Sequence, residues 1–94
     1  MKHAGPASLA QLAALLERIR ALGHLTERKP GIFYLRSSAF LHFHEDPQGL
    51  FADVKLDSKT FVRFAVDSAA QREALLSSVQ RALAETARRM GSPP

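Results

Sequence analysis

Residues 31–66, GIFYLRSSAFLHFHEDPQGLFADVKLDSKTFVRFAV, decide the fold. This stretch contains every Phe of the chain and its only Tyr, and apolar and polar residues alternate through most of it. Alternation with a period of two is typical of half-buried β-strands. Short segments rich in Ser, Asp, Pro and Gly divide the stretch, and such segments favour tight turns. We therefore predict an antiparallel meander, because strands joined by short turns must run in opposite directions.

Four strands are predicted within the sheet at residues 31–66. They are Ile32–Arg36, Ala39–Glu45, Leu50–Leu56 and Thr60–Val66. The segment Asp46-Pro47-Gln48-Gly49 joins the second strand to the third. Its Asp, Pro and Gly stand at the positions that a type I turn favours. Pairing Asp46 with Gly49 would set His42 opposite Asp53.

A helix is predicted on each side of the sheet. Leucines at spacings of three and four predict the first helix over residues 8–22, starting at a Ser8–Gln11 capping box, and Gly23 is suited to end it. Ser68 and Gln71 have the spacing of a second capping box, which begins a helix at residues 68–90. Its apolar stripe is Leu75, Leu76, Val79, Leu83 and Met90. Residues 24–30 are interpreted as a connection, and residues 1–7 and 91–94 as tails.

These elements predict a two-layer α+β fold: a four-stranded antiparallel meander with both helices on one sheet face. A chain of 94 residues is expected to form a single domain, residues 1–94. The chain has no Cys, which excludes disulfides and thiolate metal sites and fits a reducing compartment. No apolar run is long enough for a membrane span, and the N-terminus lacks the apolar core of a signal peptide. We expect a cytoplasmic protein with no membrane partner.

The net charge of +4 raises the question of nucleic-acid binding. Basic residues are spread from Lys2 to Arg89, with two adjacent pairs at Arg28-Lys29 and Arg88-Arg89. A nucleic-acid surface concentrates such charge on one face. We therefore do not expect specific nucleic-acid binding.

Alternation divides the strand residues between a core face and an open face, which the helices leave uncovered. The predicted core face is Phe33, Leu35, Leu41, Phe43, Leu50, Ala52, Val54, Leu56, Val62, Phe64 and Val66. The predicted open face is Tyr34, Arg36, Phe40, His42, His44, Phe51, Asp53, Lys55, Phe61 and Arg63. The expected register sets Tyr34, His42, Asp53 and Arg63 in one row across the open face.

This row is a candidate ligand-binding site. Asp53 would hold one nitrogen of His42 and leave the other for proton transfer, and Arg63 would bind an anion or pair with Asp53. The simpler interpretation is cross-strand pairing on a solvated sheet.

A second hypothesis is a metal site. His42 and His44 share a face of their strand, and with Asp46 they offer two imidazoles and a carboxylate for a divalent ion. Asp53 is near. The competing interpretation is two partly exposed histidines, with Asp46 engaged in starting the turn.

The aromatic residues of the open face indicate an interface. Phe40, Phe51 and Phe61 are of the residue types that protein contacts favour. A small domain with such a face would form a homodimer or bind another protein, face to face or through an outer strand.

The chain shows no pattern of nucleophilic catalysis. It has no Cys, none of its Ser residues stands in a G-x-S-x-G context, and its glycines form no phosphate loop. We therefore predict no enzyme activity and no cofactor. The predicted function is a non-enzymatic binding or interaction module, homodimeric through the open face; the alternative is a small-ligand or divalent-metal site built on His42, His44 and Asp53.

The segment FLHFHEDPQGLFADV, within residues 30–83, resembles small bacterial proteins without an assigned function that carry a similar core between two helices. The layout of helix, sheet and helix is also similar to frataxin-like and YjbR-like domains. Frataxins use an acidic first helix for iron. Here Glu17 stands beside Arg18 and Arg20, so the resemblance implies no iron role.

Overall fold

The computed structural model describes residues 1–57 and 59–91. Within these residues, nine elements follow one another along the chain. They are β1 (Lys2–His3), α1 (Pro6–Gln11), α2 (Ala13–Ala21), β2 (Leu25–Lys29), β3 (Ile32–Leu35), β4 (Ser38–Asp46), β5 (Gly49–Lys55), β6 (Phe61–Ala65) and α3 (Ala69–Gly91). The prediction of an α+β fold with an antiparallel sheet and a C-terminal helix is confirmed.

The sheet has more strands than the predicted four. Its order is β2-β3-β4-β5-β6, and β1 pairs with β4. The predicted strands correspond to β3, β4, β5 and β6, whereas β2 lies in the predicted connection and β1 in the predicted N-terminal tail. Both were missed because they show little apolar alternation. The inner side of β2 carries Glu27, which is bound to Arg20 of α2 (2.5 Å), and β1 has two residues that pair with Glu45 and His44.

The β4–β5 hairpin has the predicted register. Asp46 pairs with Gly49, and Asp46 Oδ2 accepts a hydrogen bond from the Gln48 amide (3.1 Å). Gly49 has φ +145°, and a Cβ there would lie 2.5 Å from Oδ2 of Asp67. The Asp67 carboxylate lies here because it accepts a hydrogen bond from the Leu50 amide (2.9 Å). Only glycine leaves room for that carboxylate beside residue 49.

The N-terminal helical segment differs from the predicted helix 8–22. It begins at Pro6 and is interrupted at Leu12, which separates α1 from α2. Ser8 does not cap it, because its hydroxyl donates to Glu45 on β4 (3.0 Å). Gly23 has the left-handed φ expected at the end (+74°).

Helix α3 agrees closely with the prediction. Gln71 and Ser68 form the predicted capping box: the Gln71 amide donates to Ser68 Oγ (3.1 Å), and Gln71 Oε1 accepts the Ser68 amide (2.9 Å). The helix extends through Gly91, and the remainder of the predicted tail, residues 92–94, lies outside the described residues. Among the described helices, none has the length and apolar character needed to cross a bilayer.

One core cluster joins the helices to a single sheet face. It combines residues of α2 and α3 with Phe33, Leu41, Phe43, Ala52 and Val54 of the predicted core face. The predicted stripe of α3 is buried at Leu75, Leu76, Val79 and Leu83; the side chain of Met90 lies outside the described residues. Val62 departs from the prediction because β6 is an edge strand, and 43% of its surface is exposed.

Phe40 was predicted on the open face, and this is wrong. Phe33 pairs with Leu41 but Tyr34 pairs with Ala39, so Phe40 is an extra residue in β4. Such a bulge changes the face to which the following side chains point. Phe40 is 4% exposed and belongs to the core cluster, so it is not available to an interface.

Candidate functional site

Three histidines converge on the open face of the sheet, and we call His3, His42 and His44 the histidine cluster. Their potential ligand atoms all lie within 4.8 Å of one another. Nδ1 of His42 is 2.6 Å from Nε2 of His44, and the ring of His3 is centred 5.0 Å from that of His44. Three of the four histidines of the chain are therefore gathered at one point.

Two strands position this cluster. His42 and His44 share a face of β4 because they are two residues apart, and β1 places His3 directly opposite His44. The N-terminal segment is anchored beside β4 by the Ala4 amide, which donates to the carbonyl of Phe43 (3.0 Å), and by the Gly5 amide, which donates to Oε1 of Glu45 (2.6 Å). The third imidazole is thus held by the strand pairing and by hydrogen bonds from the two amides that follow it.

A charged pair adjoins the cluster. Asp53 of β5 lies opposite His42 on β4 and opposite Arg63 on β6. Both of its carboxylate oxygens accept from Arg63, at 2.8 Å each, and Oδ2 is also 3.3 Å from Nε2 of His44. The histidine that this carboxylate contacts is therefore His44, and not His42 as the sequence suggested.

The electrostatics favour neutral imidazoles beside an ionised carboxylate. Burial lowers the pKa of His42, and a charge on His44 would lower it further, while Asp53 opposes the shift. Burial also lowers the pKa of His44 against the opposing effect of Asp53. Hydrogen bonds from Arg63 hold the pKa of Asp53 below its usual value. Neutral imidazole is the form with a free lone pair for a metal or a hydrogen bond.

The donor set fits a divalent transition ion such as zinc. Ligand nitrogens bound to tetrahedral zinc are about 3.3 Å apart, given Zn–N distances of about 2.0–2.1 Å. His42 and His44 would therefore separate by roughly 0.7 Å on binding, a shift of the size that side-chain rotation provides. The ligand atom of His44 would be Nε2. Its Nδ1 is buried and has no hydrogen-bond partner among the described residues.

Two of the predicted site residues lie elsewhere. Tyr34 was expected opposite His42, but the bulge pairs Tyr34 with Ala39 and His42 with Ile32. The guanidinium of Arg28 lies over the Tyr34 ring, 4.2 Å from its centre. Asp46 is engaged at the hairpin by the Gln48 amide and is not part of the group that could hold a metal.

His3 is the member of the histidine cluster that the sequence did not indicate. It lies in a segment without periodicity, and its partner His44 is 41 positions away in the sequence. No local signal identifies such a contact. A search for histidines outside the predicted sheet would have found two candidates, His3 and His24, with nothing to choose between them.

The aromatic residues of the predicted interface differ in how far they are exposed. Phe51 is half-buried, and Phe61 on the edge strand β6 is 37% exposed. The Phe61 ring also packs against His42 in a T-shaped arrangement, with centres 4.7 Å apart. The edge of the sheet and the histidine cluster are therefore neighbours.

No protein-family model, characterised protein or solved structure matches the chain. The function therefore has to be inferred from the geometry.

Proposed function

We propose that the protein binds a divalent transition-metal ion, zinc being the simplest candidate, through His3, His42 and His44. The supporting observation is that the ligand atoms of three imidazoles from two strands lie within 4.8 Å of one another. Clustered imidazoles are the commonest protein ligands of such ions. A hydrogen bond between His42 and His44 would by itself explain why these two rings lie side by side. It does not account for a third ring brought to the same point by the N-terminal strand.

Isothermal titration calorimetry of zinc into protein without a histidine tag tests this proposal. We expect one ion per chain. Because removing an outer partner of a ligand already weakens binding by about 10–100-fold, His42→Ala and His3→Ala should each cost at least that factor. His24→Asn is the matched control: His24 is exposed and has φ +69°, a conformation that Asn tolerates. Absence of zinc binding, or equal affinity in all four proteins, would refute the proposal.

We also propose, as a second function, self-association through the outer edge of β6. Phe61 and Val62 are 37% and 43% exposed, and as consecutive strand residues they point to opposite faces of the sheet. Each face of this edge therefore exposes one apolar side chain, with Arg63 beside Phe61. An edge strand with unpaired backbone groups is a natural site for pairing with a second copy. The mass of the protein in solution, measured with and without a charge at Phe61 or Val62, tests this idea.

A further inference from the structure

The carboxylate of Asp53 adjoins the histidine cluster but is already paired with an arginine. Asp53 Oδ2 lies 3.3 Å from Nε2 of His44, close enough to become a metal ligand after a small movement. Yet each Asp53 oxygen accepts a hydrogen bond of 2.8 Å from the guanidinium of Arg63. Paired hydrogen bonds of this kind are both strong and directional. Each oxygen keeps a lone pair that could still bind an ion, but the guanidinium neutralises the carboxylate and fixes its orientation, which makes Asp53 a weaker metal ligand.

The charges of the site follow from this pairing. Three neutral imidazoles leave the full double charge on a divalent ion, and the charge of Asp53 is balanced by Arg63. Zinc and similar ions take four ligands in tetrahedral sites, so three histidines leave one position free. A centre with excess positive charge attracts an anion to that position.

The histidine cluster is open to solvent on one side. His3 is exposed on the N-terminal side of the cluster, while the Phe61 ring covers His42 on the other side. Solvent therefore reaches the cluster beside His3.

We propose that Arg63, by neutralising Asp53 and fixing its orientation, makes that carboxylate the weaker ligand and so keeps the fourth coordination position open for a small anion, such as a carboxylate or an inorganic monoanion. This inference rests on the proposed metal site. Arg63 acts here as a positioning residue, since it contacts Asp53 and not the ion. Cross-strand pairing alone would give the Asp53–Arg63 pair a purely structural role. In this proposal the pair also determines whether the fourth coordination position is free or is taken by Asp53.

Cobalt provides the spectroscopic test, because the visible absorption of Co²⁺ reports its ligands and geometry. We expect protein loaded with Co²⁺ to change its spectrum when azide is added. Asp53→Asn should keep this response, because the cluster and the open position remain. Arg63→Gln should weaken the azide response at least tenfold, because the released Asp53 carboxylate takes the fourth position.

The outcomes separate this proposal from the proposed function. Failure to bind Co²⁺ overturns both. Binding of Co²⁺ without an azide response overturns the open position alone, and a response that appears only in Asp53→Asn identifies Asp53 as the fourth ligand. An unchanged response in Arg63→Gln overturns the role of Arg63. Arg63→Gln leaves the buried Asp53 carboxylate without the arginine that both its oxygens contact, so Asp53→Asn, which removes that charge, gives an independent reading.

Discussion

Glu27 is a single carboxylate that joins three parts of the molecule. On β2, it accepts hydrogen bonds from Arg20 of α2, at 2.5 Å from Nε and 3.0 Å from Nη2. It also accepts the Gly31 amide in the turn before β3 (2.9 Å). The hydrogen bond from Arg20 is the largest cause of the lowered pKa of Glu27, and the Gly31 amide adds to it. The charge of Glu27 therefore stabilises the folded state.

The pH dependence of this contribution can be predicted. The folded pKa of Glu27 lies below its ordinary value of 4.5, so the unfolded chain takes up the proton first as the pH falls. The stabilisation is complete above pH 4.5 and is lost as the pH falls through the folded pKa. We expect Glu27→Gln to lower the free energy of unfolding by about 1 kcal/mol at pH 7, a value reduced for partial exposure of Arg20.

Urea denaturation at pH 7 and below pH 4 measures this difference. The difference between wild type and Glu27→Gln should shrink at the lower pH. Glu17→Gln is the matched control, because Glu17 contacts the same arginine but its side chain is 75% exposed. A difference that stays constant with pH, or an equal effect of Glu17→Gln, would contradict the role given to Glu27.

At the scale of the element, α3 shows how local chemistry begins a helix. Gln71 Oε1 accepts the amides of both Asp67 and Ser68, at 2.9 Å each. Ser68 Oγ accepts the Gln71 amide in return. These bonds satisfy backbone donors that the first turn leaves without partners. The position of the helix start follows from two residues three positions apart.

Loss of this cap has a predictable cost. We expect Ser68→Ala to lower the free energy of unfolding by about 1 kcal/mol, the usual effect of removing a serine cap. Ser77→Ala is the control, because Ser77 is exposed within α3, where alanine favours the helix. Chemical denaturation of both variants measures the two free energies of unfolding. A Ser68→Ala variant as stable as wild type would show that the capping box does not stabilise the protein.

At the scale of the whole molecule, the sheet has two edges of different character. The outer strand β2 carries exposed Thr26, Arg28 and Lys29, and polar or charged edges discourage pairing between molecules. The opposite edge, β6, exposes Phe61 and Val62 next to Arg63, whose charge is paired with Asp53. If the protein dimerises, β6 is the edge that we expect to pair.

Native mass spectrometry of tag-free protein tests this expectation. We predict a dimer that Phe61→Asp and Val62→Asp each convert to a monomer, because a buried charge at the paired edge would have no partner. Phe61 also contacts His42, so Phe61→Asp could disturb the histidine cluster as well as the edge. Val62→Asp tests the edge without changing that contact. Thr26→Asp on the other edge should leave the dimer intact. A monomeric wild-type protein, or dimers in all variants, would exclude the β6 edge.

The sequence by itself determined the features that depend on near neighbours. The turn at Asp46–Gly49 fixed the β4–β5 register, and with it the pairing of His42 with Asp53. The pairing of Asp53 with Arg63 was predicted in the same way, as was the capping box of α3. Each follows from a turn or cap of a few residues, for which backbone geometry allows few alternatives.

Only the tertiary structure decided the rest of the candidate site. The bulge that buries Phe40 and displaces Tyr34 does not follow from alternation, because Ala39, Phe40 and Leu41 are three consecutive apolar residues and their pattern fits either face. The third imidazole, His3, belongs to a two-residue strand that is held by hydrogen bonds to β4. Contacts between residues so distant in sequence leave no local pattern, because their stabilisation appears only once the sheet has formed.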